Sequence, residues 1–307
     1  QRARRKAVNS TGLRSREMRV ASAFILAAGL GTRLRPLTDL RAKPLVPVGD
    51  APALEHVAGR LRAAGCTKLV ANAHHHAEDV VAFGREHGVE VRVEPGAPLG
   101  TAGGLAGAAA LLGEGDVLVH NGDVLVETDL AGLVAAHAAR SALATLVVVP
   151  GPAGSGNVGF DAAGRVVRLR RETFAPGEAR GGEFTGVHVV GAALREELPA
   201  EGCLVGDVYM PRLRRDGAER GEIHVVFAAS FVDIGSMEGY LAANRSWLAR
   251  RGERAWVGPA AAVAGSVTLE ETVVGAGARV TGEGALVRCV VWPGAEAVGP
   301  LADAVVT

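Results

Sequence analysis

The chain of 307 residues carries 33 cationic and 33 anionic side chains, 48% apolar residues, 42 glycines and 14 prolines. That composition excludes disorder over most of its length, and the balanced charge gives no electrostatic ground for a nucleic-acid partner. The longest apolar stretches, 24–28 and 142–149, fall far short of the roughly 20 residues a membrane helix needs, so no membrane partner is expected. Cys66, Cys203 and Cys289 are widely spaced and odd in number. They suggest neither a disulfide framework nor a zinc site, and a cytoplasmic location is expected.

Residues 1–19 hold seven cationic side chains against Glu17 alone, with no apolar periodicity, and read as a disordered basic extension upstream of a start near Met18. From Val20 onward apolar runs alternate with amphipathic stretches. A strand over 21–27, a helix over 53–64, a strand over 68–71, a helix over 77–87 and a strand over 89–94 are predicted. Gly65 and Gly88 stand where helices end. Further units at 104–112, 116–120, 129–140 and 143–149 predict an α/β fold with a doubly wound, Rossmann-like sheet. After Pro150 the rhythm changes to a hairpin over 158–161 and 165–169 and a strand over 184–190. Ser236 is placed to cap a long helix running to about residue 250, which closes a domain spanning 20–252.

Residues 253–307 repeat. Val257, Val263, Leu269, Val274, Val280, Leu286, Trp292 and Val298 recur every six residues, with one five-residue step before Val274. Such a period predicts a short left-handed β-helix of about 18 residues per turn with those side chains inside, and a role in assembly as a homo-oligomer. An acyltransferase built on these repeats would need more coils and a histidine within them, and none follows His224.

The chemistry concentrates after the first strand. Ala27 and Ala28 lead into Gly29, Gly31, Thr32 and Arg33, and Lys43 stands a few residues further on. Glycines let a backbone approach a phosphate and point N–H groups at it, while the hydroxyl and the two cations complete a triphosphate cradle. Leu34 stands where a dinucleotide fingerprint needs a small residue, and no P-loop pattern occurs. Only Lys6, Lys43 and Lys68 are lysine among the cations, the rest being arginine. A lysine inside a motif therefore marks a place where guanidinium does not substitute for ammonium. The run His74, His75, His76 reads as a strand-end loop, since adjacent histidines cannot all face one ion. Trp247, Trp256 and Trp292 read as packing aromatics.

GLGTRLRPLT and AKPLVPVG, with EPGAPLGTAGGL, HNGD, FTGVH and FVDIG further on, resemble the signature of the sugar-1-phosphate nucleotidyltransferases over about residues 21–247. The resemblance implies a GT-A-like mixed sheet and transfer of a nucleotidyl group from a nucleoside triphosphate to a sugar 1-phosphate, with Mg²⁺ as cofactor. It implies catalytic roles for Arg33 and Lys43, and metal ligation by Asp123 and Asp233. Asp123 follows an apolar strand at its carboxyl end, where open α/β sheets bind ligands, and a carboxylate at Asp233 within an apolar strand is costly unless paired. Glu94, Gly100, Thr101 and Ala102 fall on the base and sugar end of the nucleotide pocket. Asn157, Thr185 and Gly186 fall on the sugar side. Where many relatives carry Glu-Lys-Pro, this chain has Arg170, Arg171 and Glu172, so either Arg171, with Glu172 beside it, or Arg170 replaces the second phosphate-binding lysine, or the sugar specificity is unusual. Segments such as NAHH, LGTAGG and TGVHVV lean to a GTP-using, mannose-type guanylyltransferase. Uridylyl transfer to a muramate- or glucose-type sugar, or a non-catalytic regulatory subunit, are the alternatives.

Overall fold

A computed structural model describes residues 20–216 and 220–307; the expected basic extension lies outside the described residues. The first strand, β1 (Ser22–Leu26), is buried along nearly its whole length. A continuous apolar run of this kind suits a central strand covered on both faces. Chain order continues with α1 (Ala53–Ala63), β2 (Lys68–Ala73), α2 (Ala77–His87), β3 (Glu90–Val93), α3 (Gly100–Gly107) and β4 (Val117–Asn121). Strands β1, β2, β3 and β4 are mutually parallel neighbours in the order β4-β1-β2-β3. The α/β rhythm of the sequence corresponds to this half.

The other half is antiparallel in character. After β5 (Val124–Glu127) and α4 (Leu130–Arg140) come β6 (Ala144–Gly151), β7 (Val158–Phe160), β8 (Val166–Leu169), β9 (Glu172–Thr173) and β10 (Arg180–Val190). Strand β10 is the pivot. Its first residues pair with β7, and its last pair antiparallel with both β4 and β6. Between Phe184 and His188 the register against β6 shifts, and Thr185 and Gly186 sit in that irregularity. A bulge of this type re-aims side chains beside a site.

Two short strands whose pairing the sequence does not announce prove decisive for position. Strand β5 joins antiparallel to β12 (Ser230–Asp233), which follows β11 (Ile223–Phe227), and Asp233 lies directly opposite Val124. Asp123 and Asp233 are thereby brought side by side across one ladder. Ser236 then caps α5 (Met237–Arg251), its hydroxyl accepting from the Gly239 N–H at 3.1 Å.

Beyond α5, parallel strands stack at an offset of 17 residues that shortens to 15 in the last coil, where Leu286 pairs with Leu301 and Val290 with Val305. Ala255 pairs with Thr272, Val273 with Val290, Ala262 with Arg279, and Arg279 with Glu296, each 17 residues on. Coils of 17 residues rather than 18 correct the expected inward set. Val274, Val280 and Leu286 are buried, but Val298 is 63% exposed and its place is taken by Ala297, which stacks on Val280. Val257, in the first coil, is also exposed at 45%. Trp292 lies one residue past Val291, the residue stacked on Val274, and serves the contact with α5 instead.

The coils are not a separate layer. Leu34, Leu37, Val46 and Val48 from the loops after β1 share one apolar cluster with Tyr240 and Trp247 of α5 and with Val280, Leu286 and Trp292. The Trp247 and Trp256 rings meet edge to face at 5.6 Å. Among the described residues no helix is long and apolar enough to cross a membrane. Gly49 shows how tight this junction is: at φ +63° its added Cβ would fall 2.1 Å from the Trp247 ring. Gly49→Ala is expected to lower stability by about 2–4 kcal/mol, combining left-handed backbone strain with overpacking, as read by urea denaturation.

Candidate active site

A cleft opens at the carboxyl ends of β1, β2 and β4, and it has two halves. One is walled by Ala27, Ala28, Gly29, Asn72, Glu94, Gly100 and Thr101. The other is walled by Arg33, Glu183, Thr185, Gly186, His188, Cys203 and Asp233. Lys43, Thr101, Asn121 and Asp123 line both.

At that seam Lys43 donates to Asp123, and its Nζ stands 3.6 Å from Asp233 Oδ1. The Lys43 side chain is only 10% exposed. Arg33 approaches the same Asp233 at 3.7 Å from the solvent side. Two carboxylates around one half-desolvated ammonium satisfy the demand that a buried charge be paired. The Gly235 N–H also donates to Asp233 Oδ1 at 2.8 Å, fixing that carboxylate's orientation. Both acids already meet around a single cation, so as hard oxygen donors they could hold a divalent one. Among the described residues no group of three His, Cys, Asp or Glu side chains could hold a metal.

The glycine loop supplies room. A Cβ at Gly29 would meet nothing within 4 Å, so this glycine is not required by packing and instead leaves backbone bare at the cleft wall. Gly31 and Thr32 lie outside the wall, where the Gly31 carbonyl accepts from the Thr38 hydroxyl at 2.9 Å. Asn72, at the end of β2, opens the NAHH segment but was not among the expected site residues. Its side-chain oxygen accepts from the Ala27 N–H at 2.7 Å, and its amide donates to Glu94 Oε1 at 2.7 Å. The other Glu94 oxygen accepts from the Leu99 N–H at 2.9 Å. Glu94 thus lines the wall but is spent on holding the loop before α3 against the glycine loop. Thr101 does similar work, accepting from the Leu204 N–H at 2.8 Å, and Ala102 is buried behind it, its N–H donating to the Gly202 carbonyl at 2.9 Å.

On the far side Gly186 has φ +80°, and a Cβ there would fall 2.4 Å from the Asn121 amide nitrogen. Asn121 needs that space; it stands in the HNGD segment two residues before Asp123 and is the second cleft amide not among the expected site residues. The Thr185 hydroxyl turns away to the Val147 carbonyl at 3.0 Å. Three expected sugar-side residues are not at the cleft wall. Asn157 donates to Glu183 Oε1 at 2.6 Å and accepts from the Phe184 N–H at 2.9 Å, so it positions Glu183 rather than lining the cleft itself. Arg171 and Glu172 border a shallow depression with Arg170 and Met210, and Glu172 is tied to Arg214 at 2.5 Å. Their hairpin turns them outward, whereas Arg170 reaches toward the cleft, donating to Cys203 Sγ at 3.2 Å. The histidine run diverges as expected of adjacent side chains: His74 faces the Glu94 carbonyl, His75 the Thr38 carbonyl and His76 the Asp79 carboxylate.

Beneath the seam lie two buried imidazoles on adjacent strands. Burial lowers His120 to about 4 and His188 to about 3, so both stay neutral at physiological pH. The unfolded chain takes up protons below pH 6.5 that these folded rings refuse. Stability contributed at these positions is therefore complete above pH 6.5 and lost as the pH falls from 6.5 to about 4 for His120 and to about 3 for His188. His188→Phe is expected to flatten the fall of denaturation midpoint with acid over that window; an unchanged slope would contradict the assignment.

A Nucleotidyl transferase family model matches residues 22–172. A UTP–glucose-1-phosphate uridylyltransferase of Synechocystis sp. is 30% identical over 250 residues, 74% of this chain and 63% of that protein. A mannose-1-phosphate guanylyltransferase of Mycobacterium tuberculosis is 37% identical over 160 residues, 50% of this chain and 45% of that protein. The chain thus spans less than two thirds of the length of either relative. HddC from Yersinia pseudotuberculosis, crystallised with GMP-PN, superposes with a TM-score of 0.61 over 74% of this chain and all of that one, at 21% identity. That likeness speaks for the fold alone.

Proposed function

We propose, because the chain belongs to the sugar-1-phosphate nucleotidyltransferase family, that it transfers a nucleotidyl group from a nucleoside triphosphate to a sugar 1-phosphate, releasing pyrophosphate. The observation that carries the reading is the Lys43 ammonium shared by Asp123 and Asp233 where the two halves of the cleft meet. In this reading the nucleotide lies against Ala27, Ala28, Gly29, Gly100 and Thr101, and the sugar phosphate against Glu183 and Gly186.

An oxygen of the sugar phosphate attacks the α-phosphorus, the bond from that phosphorus to the β-bridging oxygen breaks, and its electron pair leaves with pyrophosphate. No protein base is needed, since the second pKa of a phosphate monoester is about 6. The chain's part is positioning and charge. Asp123 and Asp233 would hold Mg²⁺, which when bound supplies Lewis-acid charge to the phosphate oxygens. Lys43 and Arg33 then offset the negative charge that builds on the transferring and leaving groups.

A mannose-type guanylyltransferase is the preferred specificity, supported by the name of the mycobacterial relative. Uridylyl transfer to a glucose-type sugar is the second reading, supported by the cyanobacterial one. A non-catalytic subunit is disfavoured by the joint presence of Lys43, Asp123 and Asp233 in one cleft. Residues 20–252 are the transferase domain in this reading and 253–307 a left-handed β-helix, supported by the 17-residue parallel stacking. The reaction is placed in the cytoplasm, and the coils are given a part in self-association, supported by exposed Val257 and Val298.

Four nucleoside triphosphates assayed against a panel of sugar 1-phosphates, read as phosphate after added pyrophosphatase, test the reaction and its specificity; no release with any pair rejects it. Lys43→Ala and Asp233→Ala are each expected to reduce turnover at least about 10²–10³-fold without unfolding the domain. Circular dichroism checks the fold in the same samples, and retained turnover contradicts the roles given. Turnover should also decline below about pH 6, as the attacking phosphate takes up its proton.

A further inference from the structure

The segment that carries Arg33 and Lys43 has little structure of its own. Residues 32–52 form two single 3₁₀ turns, one four-residue helix and a two-residue ladder. Chain of that kind is held by what packs on it rather than by its own hydrogen bonds.

What packs on it is α5, and behind α5 the C-terminal coils. The Trp292 indole N–H donates to the Tyr240 hydroxyl at 2.9 Å, and that hydroxyl donates to the Pro47 carbonyl at 2.6 Å. All three residues are buried. The Arg41 guanidinium lies over the Trp292 ring at 5.4 Å, closing a second contact between coil and segment. One turn further along α5, Asn244 accepts from the Gly49 N–H at 2.9 Å. The same helix begins directly after Asp233, through Ile234 and Gly235 to the Ser236 cap. Helix α5 therefore holds Asp233 at its start and the Lys43 segment one turn on.

We infer that the C-terminal coils, through Trp292 and Tyr240, set the spacing of Lys43 against Asp233 and so are part of the catalytic apparatus, not only an assembly element. Trp292 and Tyr240 are positioning residues, since neither lines the cleft. The inference rests on the transfer reaction proposed above for its kinetic consequence, but not for its structural one.

The test uses the full chain with Trp292→Phe, which keeps the stacked ring and removes the donor, and Tyr240→Phe, which removes the hydroxyl. Leu286→Ala is the control, because Leu286 is fully buried in the same apolar cluster but its side chain takes no part in the relay of hydrogen bonds. Hydrogen exchange at Leu45 and Val46, whose amides close the turn beside Lys43, is expected to quicken about tenfold in each relay variant and to stay unchanged in Leu286→Ala. Turnover should fall about tenfold in each relay variant with the KM for sugar 1-phosphate within twofold of the parent. The double variant should do no worse than the poorer single one, as two links of one chain require. Unaltered exchange and turnover in both singles, or the same loss in Leu286→Ala, would overturn the inference. A parent chain that turns over no sugar 1-phosphate would reject the proposed reaction, and the exchange data alone would then decide whether the coils hold the segment.

Discussion

One ammonium between two carboxylates is the constraint around which this molecule is arranged. Lys43 comes from the loops after the first strand, Asp123 from the turn after β4 and Asp233 from the end of β12. Lys43, with its side chain only 10% exposed, could not be left alone there, because an unpaired charge removed from water is costly, and the partly exposed Asp123 and Asp233 answer it. Each element that delivers one of them is therefore tied to the other two. The ladder of β5 and β12 brings the acids together, and α5 with the coils presses the lysine-bearing segment onto them.

The amide frame behind this centre follows the same logic. Asn72 joins Ala27 to Glu94, and Glu94 joins the loop before α3. A carboxylate that looked from its motif like a ligand contact is thus a structural tie whose two oxygens are both occupied. Backbone and small side chains are left as the main surface of that half of the cleft, which suits a polyanion that is recognised by amide N–H groups rather than by side-chain charge.

Much of this was legible in the residues. The glycine loop, Lys43, Asp123 and Asp233 stood in motifs whose combined charge and backbone freedom a plain turn does not need, and Gly88 and Ser236 marked helix ends where the backbone shows them. Other features were hidden for physical reasons. Asn72 and Asn121 stand inside the NAHH and HNGD segments, yet an uncharged amide at a strand end carries no sign of whether it faces a cleft or closes an ordinary turn. Arg171 and Glu172 were assigned by motif order, yet a hairpin decides orientation by its turn, and it turned them to the outer surface. The coil period was read as 18 because six is the visible repeat, while the strands pair 15 residues on from Val290 to Val305, and 17 on from Ala255 to Thr272 and from Val273 to Val290. That one-residue difference buries Ala297 in place of Val298.

Lys43, Thr101, Asn121 and Asp123 belong to both halves of the cleft at once. Two guests in such a groove would not be independent tenants, because both would meet the same four side chains. Under the proposed transfer, thermodynamic reciprocity would then apply: whatever factor the nucleotide imposed on the affinity of the sugar phosphate, the sugar phosphate would return to the nucleotide. A shared wall makes the groove selective for the pair as well as for each member.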